Sequence, residues 1–313
     1  MEPIVCYSLC IPQVDRRDVL LRQLLRSLRS LRNFNQKIGV HMFVYGDHLD
    51  LHHELRPYNV LIHEQGHYSD RLRDLFPDYS NELVENPLLH KYLNFQEISN
   101  LSPSQVLLLD CDTVFRADVE ALFSKYVLED CYAREEPMCK RSHLGWTSSY
   151  LNEELLADLA MKEGGQPVPP FNTGAILLNH DIWATEQLDT MFLSYVRRFM
   201  VWMALHPVRD EDRRYGEGLG VNVLRARLHK VNAAEGLTYP SANRWIIDEV
   251  ALWLTLAQMQ NLRCGDFDKE DVIQNGEYIH TSTLEPEWIL CHYFGNNMID
   301  FEQWAAENGR TSI

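Results

Sequence analysis

"VLLLDCDTVF", residues 106–115, ends a run of four apolar residues with two carboxylates, Asp110 and Asp112, one residue apart. Four such residues between polar neighbours are the mark of a short buried strand. On a straight strand the two aspartates would share a face, and like charges that close repel. Solvent, a cationic side chain or a bound metal ion has to offset that repulsion. In open α/β sheets, ligands gather beyond the carboxyl ends of the strands, and this pair falls at that end.

The neighbouring segments supply the rest of such a sheet. "PIVCYSL" (3–9) reads as a buried strand. "VDRRDVLLRQLLRSLRSLRNF" (14–34) follows, with Leu20, Leu21, Leu24, Leu25, Leu28 and Leu31 at helical spacing and Asp15 as N-cap. "KIGVHMFVYGD" (37–47) is a second strand and "NVLIHE" (59–64) a third. Strand, amphipathic helix, strand is the opening of a parallel α/β sheet. Further on, helices are predicted over 87–99, 119–126, 184–205 and 248–261, with strands over 104–110, 173–183 and 287–295. Segment 206–244 mixes Pro, Gly and charge. No composition shift marks a second domain, so 1–313 is expected to form one α/β domain with an insertion around 206–244.

Composition narrows the class. The 313 residues are 45% hydrophobic and 11% aromatic, enough for a sizeable core. The net charge of −16 argues against nucleic acid or an anionic membrane as the main partner. No run approaches the roughly 18 apolar residues that cross a bilayer, and "MEPIVCYSLCIPQ" has no basic stretch before its apolar one. The seven cysteines are odd in number and lack C-x-x-C spacing, so reduced thiols and a soluble, cytoplasmic protein are expected.

Taken alone, an Asp-x-Asp is either two solvated loop residues or two hard oxygen ligands. The second suits Mg²⁺ or Mn²⁺, which binds through one or two carboxylates plus substrate phosphates. Three more islands bear on the choice: "FNTGAILLNHDIW" (171–183), "DEVAL" (248–252) and "HYFG" (292–295). With "VLLLDCDTVF" they resemble, in order, four blocks of the metal-dependent glycosyltransferases of GT-A fold. The resemblance is to the retaining family that includes glycogenin and the bacterial lipooligosaccharide galactosyltransferases. The blocks are its Asp-x-Asp-Thr strand end, its Phe-Asn-x-Gly block, its Asp-Gln or Asp-Glu pair opening a helix, and its C-terminal His-x-x-Gly.

The resemblance implies a fold and a site. The fold is a Rossmann-like, mostly parallel central sheet flanked by helices, with a C-terminal extension. Asp110, Asp112 and His292 would hold one Mn²⁺ or Mg²⁺, which binds the diphosphate of a nucleotide sugar, by default a UDP-hexose, and acts on the leaving group as a Lewis acid. Lys91 stands about where the family has a basic residue that contacts the donor. Asn172, Thr173 and Gly174 would lie beside the donor sugar. Asp248 and Glu249 would sit by the reacting sugar, one of them binding hydroxyls or stabilising positive charge at the anomeric carbon.

Each residue also has a plainer reading. His292 suits a hydrogen-bonded core position between Cys291 and Tyr293, and Lys91 an ordinary surface. Gly174 suits a turn or any close approach of ligand or backbone; Asn172 offers both donor and acceptor. Asp248 and Glu249 are favoured at a helix start by the dipole alone. Tyr7 and Ser8, at the end of the first strand, are candidates for the base, and Cys111, between the aspartates, for the donor. Tyr7 equally suits the core.

Two departures stand out. The family's last block runs on into Lys-Pro-Trp, whose lysine reaches the diphosphate, whereas "HYFGNNMIDFEQW" (292–304) has neither lysine nor proline. Arg225, Lys230 and Arg244 are replacements by position only. The gap between "FNTG" and "DEVAL" is long, so 206–244 would shape the acceptor pocket or act as a lid, with "YGEGLG" (215–220) permitting motion. The missing lysine motivates an alternative: a catalytically impaired nucleotide-sugar-binding protein of the same fold. A nucleotidylyltransferase would need a Gly-rich loop after the first strand, and "YSLCIPQVDRRD" has none. His48 and His52, four apart in "GDHLDLHH" (46–53), read as a solvated helix start rather than a metal pair, and Asp47 as a weak candidate for the ribose or base.

Overall fold

The computed structural model describes residues 2–10, 14–46, 51–66, 70, 87–135, 153–166, 171–179, 182, 188–205, 247–259, 261–274 and 288–293. The insertion at 206–244, with Arg225, Lys230, Arg244 and "YGEGLG", lies outside them, as do Asp47, His48 and everything after Tyr293.

Seven strands form the central sheet: β1 (Ile4–Cys10), β2 (Gly39–Tyr45), β3 (Val60–Glu64), β4 (Val106–Leu109), β6 (Cys131–Glu135), β7 (Phe171–Leu178) and β8 (Cys264–Asp266). Their order is β3-β2-β1-β4-β7-β6-β8. All run one way except β7, which is antiparallel to both β4 and β6. A mostly parallel sheet with its helices on both faces is the α/β architecture expected from the alternating elements.

Alternation along the strands sorts the core into two layers. Val5, Tyr7, Leu107 and Leu109 face α1 (Val14–Phe34), whose Leu21, Leu24, Leu28 and Leu31 are buried against them. Cys6, Leu108 and Ile176 face the other way. There they meet α3 (Phe95–Leu101), α6 (Leu188–Leu205) and α7 (Ile247–Gln258). The short helices α2 (Leu51–Leu55), α4 (Glu120–Lys125) and α5 (Glu153–Lys162) complete the set. α1 starts at Val14, one residue ahead of the expected cap at Asp15, an ordinary latitude at a helix end. The predicted helix at 87–99 is instead a 3-10 segment, Pro87–Asn94, running into α3.

A second, three-stranded sheet positions the site. β5 (Thr113–Phe115) begins directly after Asp112 and pairs with β10 (Leu290–His292), which also pairs with β9 (Val272–Gln274). In the antiparallel β5–β10 ladder His292 stands opposite Thr113, and the Tyr293 amide donates to Asp112 O at 2.9 Å. A residue 180 positions downstream thus arrives beside the Asp-x-Asp.

Candidate metal centre and active site

The apolar run of β4 stops at Leu109, and Asp110–Asp112 form a turn between β4 and β5. The turn releases the two carboxylates from a strict strand alternation. One Asp110 oxygen, Oδ1, is paired with Lys91. The other, Oδ2, lies 3.6 Å from His292 Nε2, and Asp112 Oδ1 lies 3.3 Å from the same nitrogen. These three ligand atoms fall within 4.8 Å of one another, the one such trio among the described residues. Adjacent ligands in an octahedron with bonds of about 2.1 Å lie about 3 Å apart. At 3.6 and 3.3 Å from the imidazole nitrogen the two carboxylate oxygens stand slightly wider than that, and the trio is a candidate divalent-metal site.

The repulsion within the Asp-x-Asp is thus answered by two basic side chains, Lys91 on Asp110 and His292 facing both carboxylates. Lys91 is 7% exposed and also donates to Thr173 O at 2.7 Å. Burial disfavours its charge, but Asp110, Asp248 and Glu249 outweigh that and raise its pKa. His292 follows the same logic: burial lowers its pKa, Asp112 and then Asp110 raise it, and the net shift is upward.

β7 carries the second side of the site. Asn172 Oδ1 accepts from the Gly174 amide at 2.8 Å, Thr173 Oγ1 donates to Glu249 Oε1 at 3.2 Å, and Gly174 O accepts from the Asp110 amide at 2.9 Å. Trp253 docks α7 onto this strand, its indole donating to Phe171 O at 2.9 Å, with the rings 5.8 Å apart. Asp248 and Glu249 lie in the first turn of α7, and Glu249 is thereby held against Thr173. Asp248 is 3% exposed. Burial pushes its pKa up to about 7, Lys91 pulls it down and Asp110 pushes it up again.

Lys91, Asp110, Asp112, Thr173, Gly174, Asp248, Glu249 and His292 are therefore linked by contact or by field around one end of the sheet. Asn172 supports that group from inside β7. Tyr7 does not join it: alternation turns the ring toward α1, where it is 1% exposed and its hydroxyl bonds Ser27 Oγ at 2.7 Å. Ser27 Oγ in turn meets Thr113 Oγ1 at 2.9 Å, so Tyr7 braces the Asp-x-Asp turn from behind. Ser8 faces the other layer, where its hydroxyl accepts from Asn94 Nδ2 at 2.8 Å. Cys111 lies alongside, its thiol 3.7 Å from Ser8 O and pushed up by burial, Asp110 and Asp112.

Two residues of this neighbourhood escaped the sequence reading. Asn94 is fully buried and takes a 2.6 Å hydrogen bond from Tyr45 OH while it holds Ser8. Tyr92 is fully buried, with Lys91 Nζ 5.5 Å from its ring centre. Burial, then Asp248, drives its pKa far above the ordinary tyrosine value. Their signal was adjacency to Lys91 in "HKYLNF" (90–95), which alone does not separate a site from a core.

Comparison with known proteins bears on the fold. No protein-family model matches the chain, and no curated protein matches its sequence. Among solved structures, the chain is similar to mouse xyloside xylosyltransferase 1 in its apo form, with TM-score 0.54, 12% identity, and coverage of 95% of this chain and 99% of that one. It is similar to the galactosyltransferase LgtC in complex with donor and acceptor sugar analogs, with TM-score 0.56, 12% identity, and coverage of 99% and 96%. The bifunctional glycosyltransferase WbbM gives TM-score 0.58 at 11% identity, over 99% of this chain and 52% of that one. The chain has the GT-A fold of these glycosyltransferases. No described helix is long and apolar enough to cross a membrane.

Proposed function

We propose that this protein is a metal-dependent glycosyltransferase, moving a hexose from a nucleotide diphosphate sugar, by default a UDP-sugar, to an acceptor hydroxyl. One observation carries the reading: Asp110, Asp112 and His292 bring ligand atoms within 4.8 Å of one another at the ligand-binding end of a GT-A sheet. A Mn²⁺ or Mg²⁺ held by these three would neutralise charge developing on the departing diphosphate.

The chain's own residues do the remaining work. Lys91 fixes Asp110 through one oxygen and leaves the other to face His292. Glu249, steadied by Thr173, offers a carboxylate to sugar hydroxyls or to positive charge at the anomeric carbon. Asp248, with a pKa near neutrality, serves as a hydroxyl partner in either protonation state. Ser8 and Cys111 line the approach for the nucleotide, with Asn172 and Thr173 for the sugar. Tyr7 is left out, as a brace. One domain over 1–313, with 206–244 shaping the acceptor side, completes the proposal, and the cytoplasm suits its six described cysteines, none of them in a disulfide.

The decisive experiment is a hydrolysis screen over a panel of nucleotide sugars with and without Mn²⁺. Metal-dependent release of one nucleoside diphosphate supports transferase chemistry. No turnover together with no heat on titrating UDP and Mn²⁺ to millimolar ligand sinks it. The absence of Lys-Pro-Trp after His292 favours a second reading, a nucleotide-sugar-binding protein without turnover. Binding of UDP with no hydrolysis of any sugar in the panel selects that one.

A further inference from the structure

Gly174 has an ordinary backbone. It is absent from the glycines with positive φ, which are Gly46, Gly66 and Gly164 among the described residues. Its conformation therefore suits any L-residue, and the reason for a glycine lies elsewhere. A Cβ placed on Gly174 would sit 2.1 Å from His292 Cε1, 2.2 Å from Nδ1 and 2.3 Å from Nε2. Real Cβ contacts never approach so closely, so even a methyl group and the imidazole cannot both occupy this space. The close approach at Gly174 is thus made by a side chain of β10.

We infer that Gly174 is a positioning residue for the metal centre: it is the floor that lets His292 lie with Nε2 between Asp110 and Asp112. This rests on the metal reading of the three ligands. Two further contacts give the floor its precision. Gly174 O accepts the Asp110 amide at 2.9 Å, so the residue that seats the imidazole also fixes the backbone of one aspartate. The preceding carbonyl, Thr173 O, holds Lys91, which pairs with the Asp110 carboxylate. Two consecutive residues of β7 therefore set Asp110 and His292 relative to each other, although neither residue supplies a ligand. β10 is fixed from the other side by its ladder with β5 and by Tyr293 N to Asp112 O. The imidazole consequently has one way to yield, by swinging its ring off the aspartates.

The test uses the full chain as Gly174→Ala, His292→Ala and the double variant, with two readouts. Mn²⁺ alone is titrated and followed by electron paramagnetic resonance. Gly174→Ala is expected to weaken binding at least about tenfold, as loss of a support for a ligating histidine does. In the His292→Ala background the same change is expected to weaken it no further. Thermal unfolding of the metal-free protein is the second readout. Gly174→Ala alone lowers the midpoint by about 5 °C through overpacking, and removing the ring in the double variant restores most of it. Should Gly174→Ala not fold, a folded double variant supports the contact, and a double variant that also fails to fold overturns it. Mn²⁺ affinity within twofold of wild type in Gly174→Ala overturns the positioning role, as does an equal loss of stability in both backgrounds. If wild type binds no Mn²⁺, the ligand reading falls and takes the positioning role with it. The stability cycle then still reports whether residues 174 and 292 compete for space.

Discussion

β4 and β7 lie side by side in the sheet, paired from Val106 opposite Leu178 to Leu109 opposite Ala175, and both are buried throughout. They reach that state by opposite means. β4 carries only Val and Leu, and burial of apolar surface suffices to place it. The first four residues of β7 include an amide, a hydroxyl and a position with no side chain. Each is answered by a specific partner: Asn172 by the Gly174 amide, Thr173 by Glu249, and Gly174 by the imidazole that fills its space. A buried apolar strand tolerates any neighbour of suitable volume. A buried polar end tolerates only the neighbours that satisfy it. The site has formed where the sheet passes from the first regime to the second.

That contrast predicts which changes alter chemistry and which alter stability. Asp112→Asn should give the largest effect on transfer, a loss of about a thousandfold or more, equivalent to about 4 kcal/mol. It should change the stability of the metal-free protein far less, because relief of the like charge beside Asp110 is offset by loss of the carboxylate that faces the buried His292 imidazole. Activity assays paired with urea unfolding check both halves. Retained Mn²⁺ affinity in this variant would remove Asp112 from the ligand set.

Leu108→Ala should do the reverse. Leu108 is buried between Cys6 and Ile176. Truncation should cost about 3 kcal/mol of stability in transfer and cavity terms. Mn²⁺ affinity measured below the unfolding midpoint should stay at the wild-type value. A fall in affinity as large as that of Asp112→Asn would mean that the two regimes are not separable.

The first regime was legible in the sequence and the second only in outline. Hydrophobic spacing located β1, β2, β3, β4 and α1, because burial acts on each residue locally. The positions of Asp110, Asp112, Asn172, Asp248 and His292 were visible as islands, but their company was not. β5, β8 and β9 are three residues each, too short for a periodicity, and β5 is what carries His292 to Asp112. Lys91 read equally as an ordinary surface lysine and as a contact to the donor, and nothing in its neighbourhood announced its burial. Its burial depends on Asp110 and Thr173, 19 and 82 residues away in sequence. Partners that distant leave no local pattern.

Lys91→Met tests how far the polar end depends on its cation. The side chain is buried, while that of Asp110 is 34% exposed. The loss of stability should therefore be about 2 kcal/mol, below the range for fully buried pairs. Urea unfolding at pH 7 measures it. Because Lys91 lowers the pKa of Asp248, the variant should lose less at pH 5 than at pH 8. An equal loss at both would show that Asp248 does not sense Lys91.

The smallest effect per unit of pH is expected at Asp248 itself. Its folded pKa of about 7 lies above the roughly 3.9 of an unfolded aspartate, so the folded state binds the proton more tightly. The resulting stability is fully present below about pH 4 and is lost as pH rises to about 7, at up to about 1.4 kcal/mol per pH unit. Asp248→Asn fixes the residue in a neutral form and should flatten that slope, so the variant gains on wild type between pH 5 and 8. His292 also has a raised pKa and contributes a slope of the same sign, but it is present in both proteins and drops out of the difference. Denaturant midpoints of the two proteins across this window decide the matter. Parallel curves would mean that Asp248 is ionised throughout, and that Lys91 alone suffices to hold its charge inside the core.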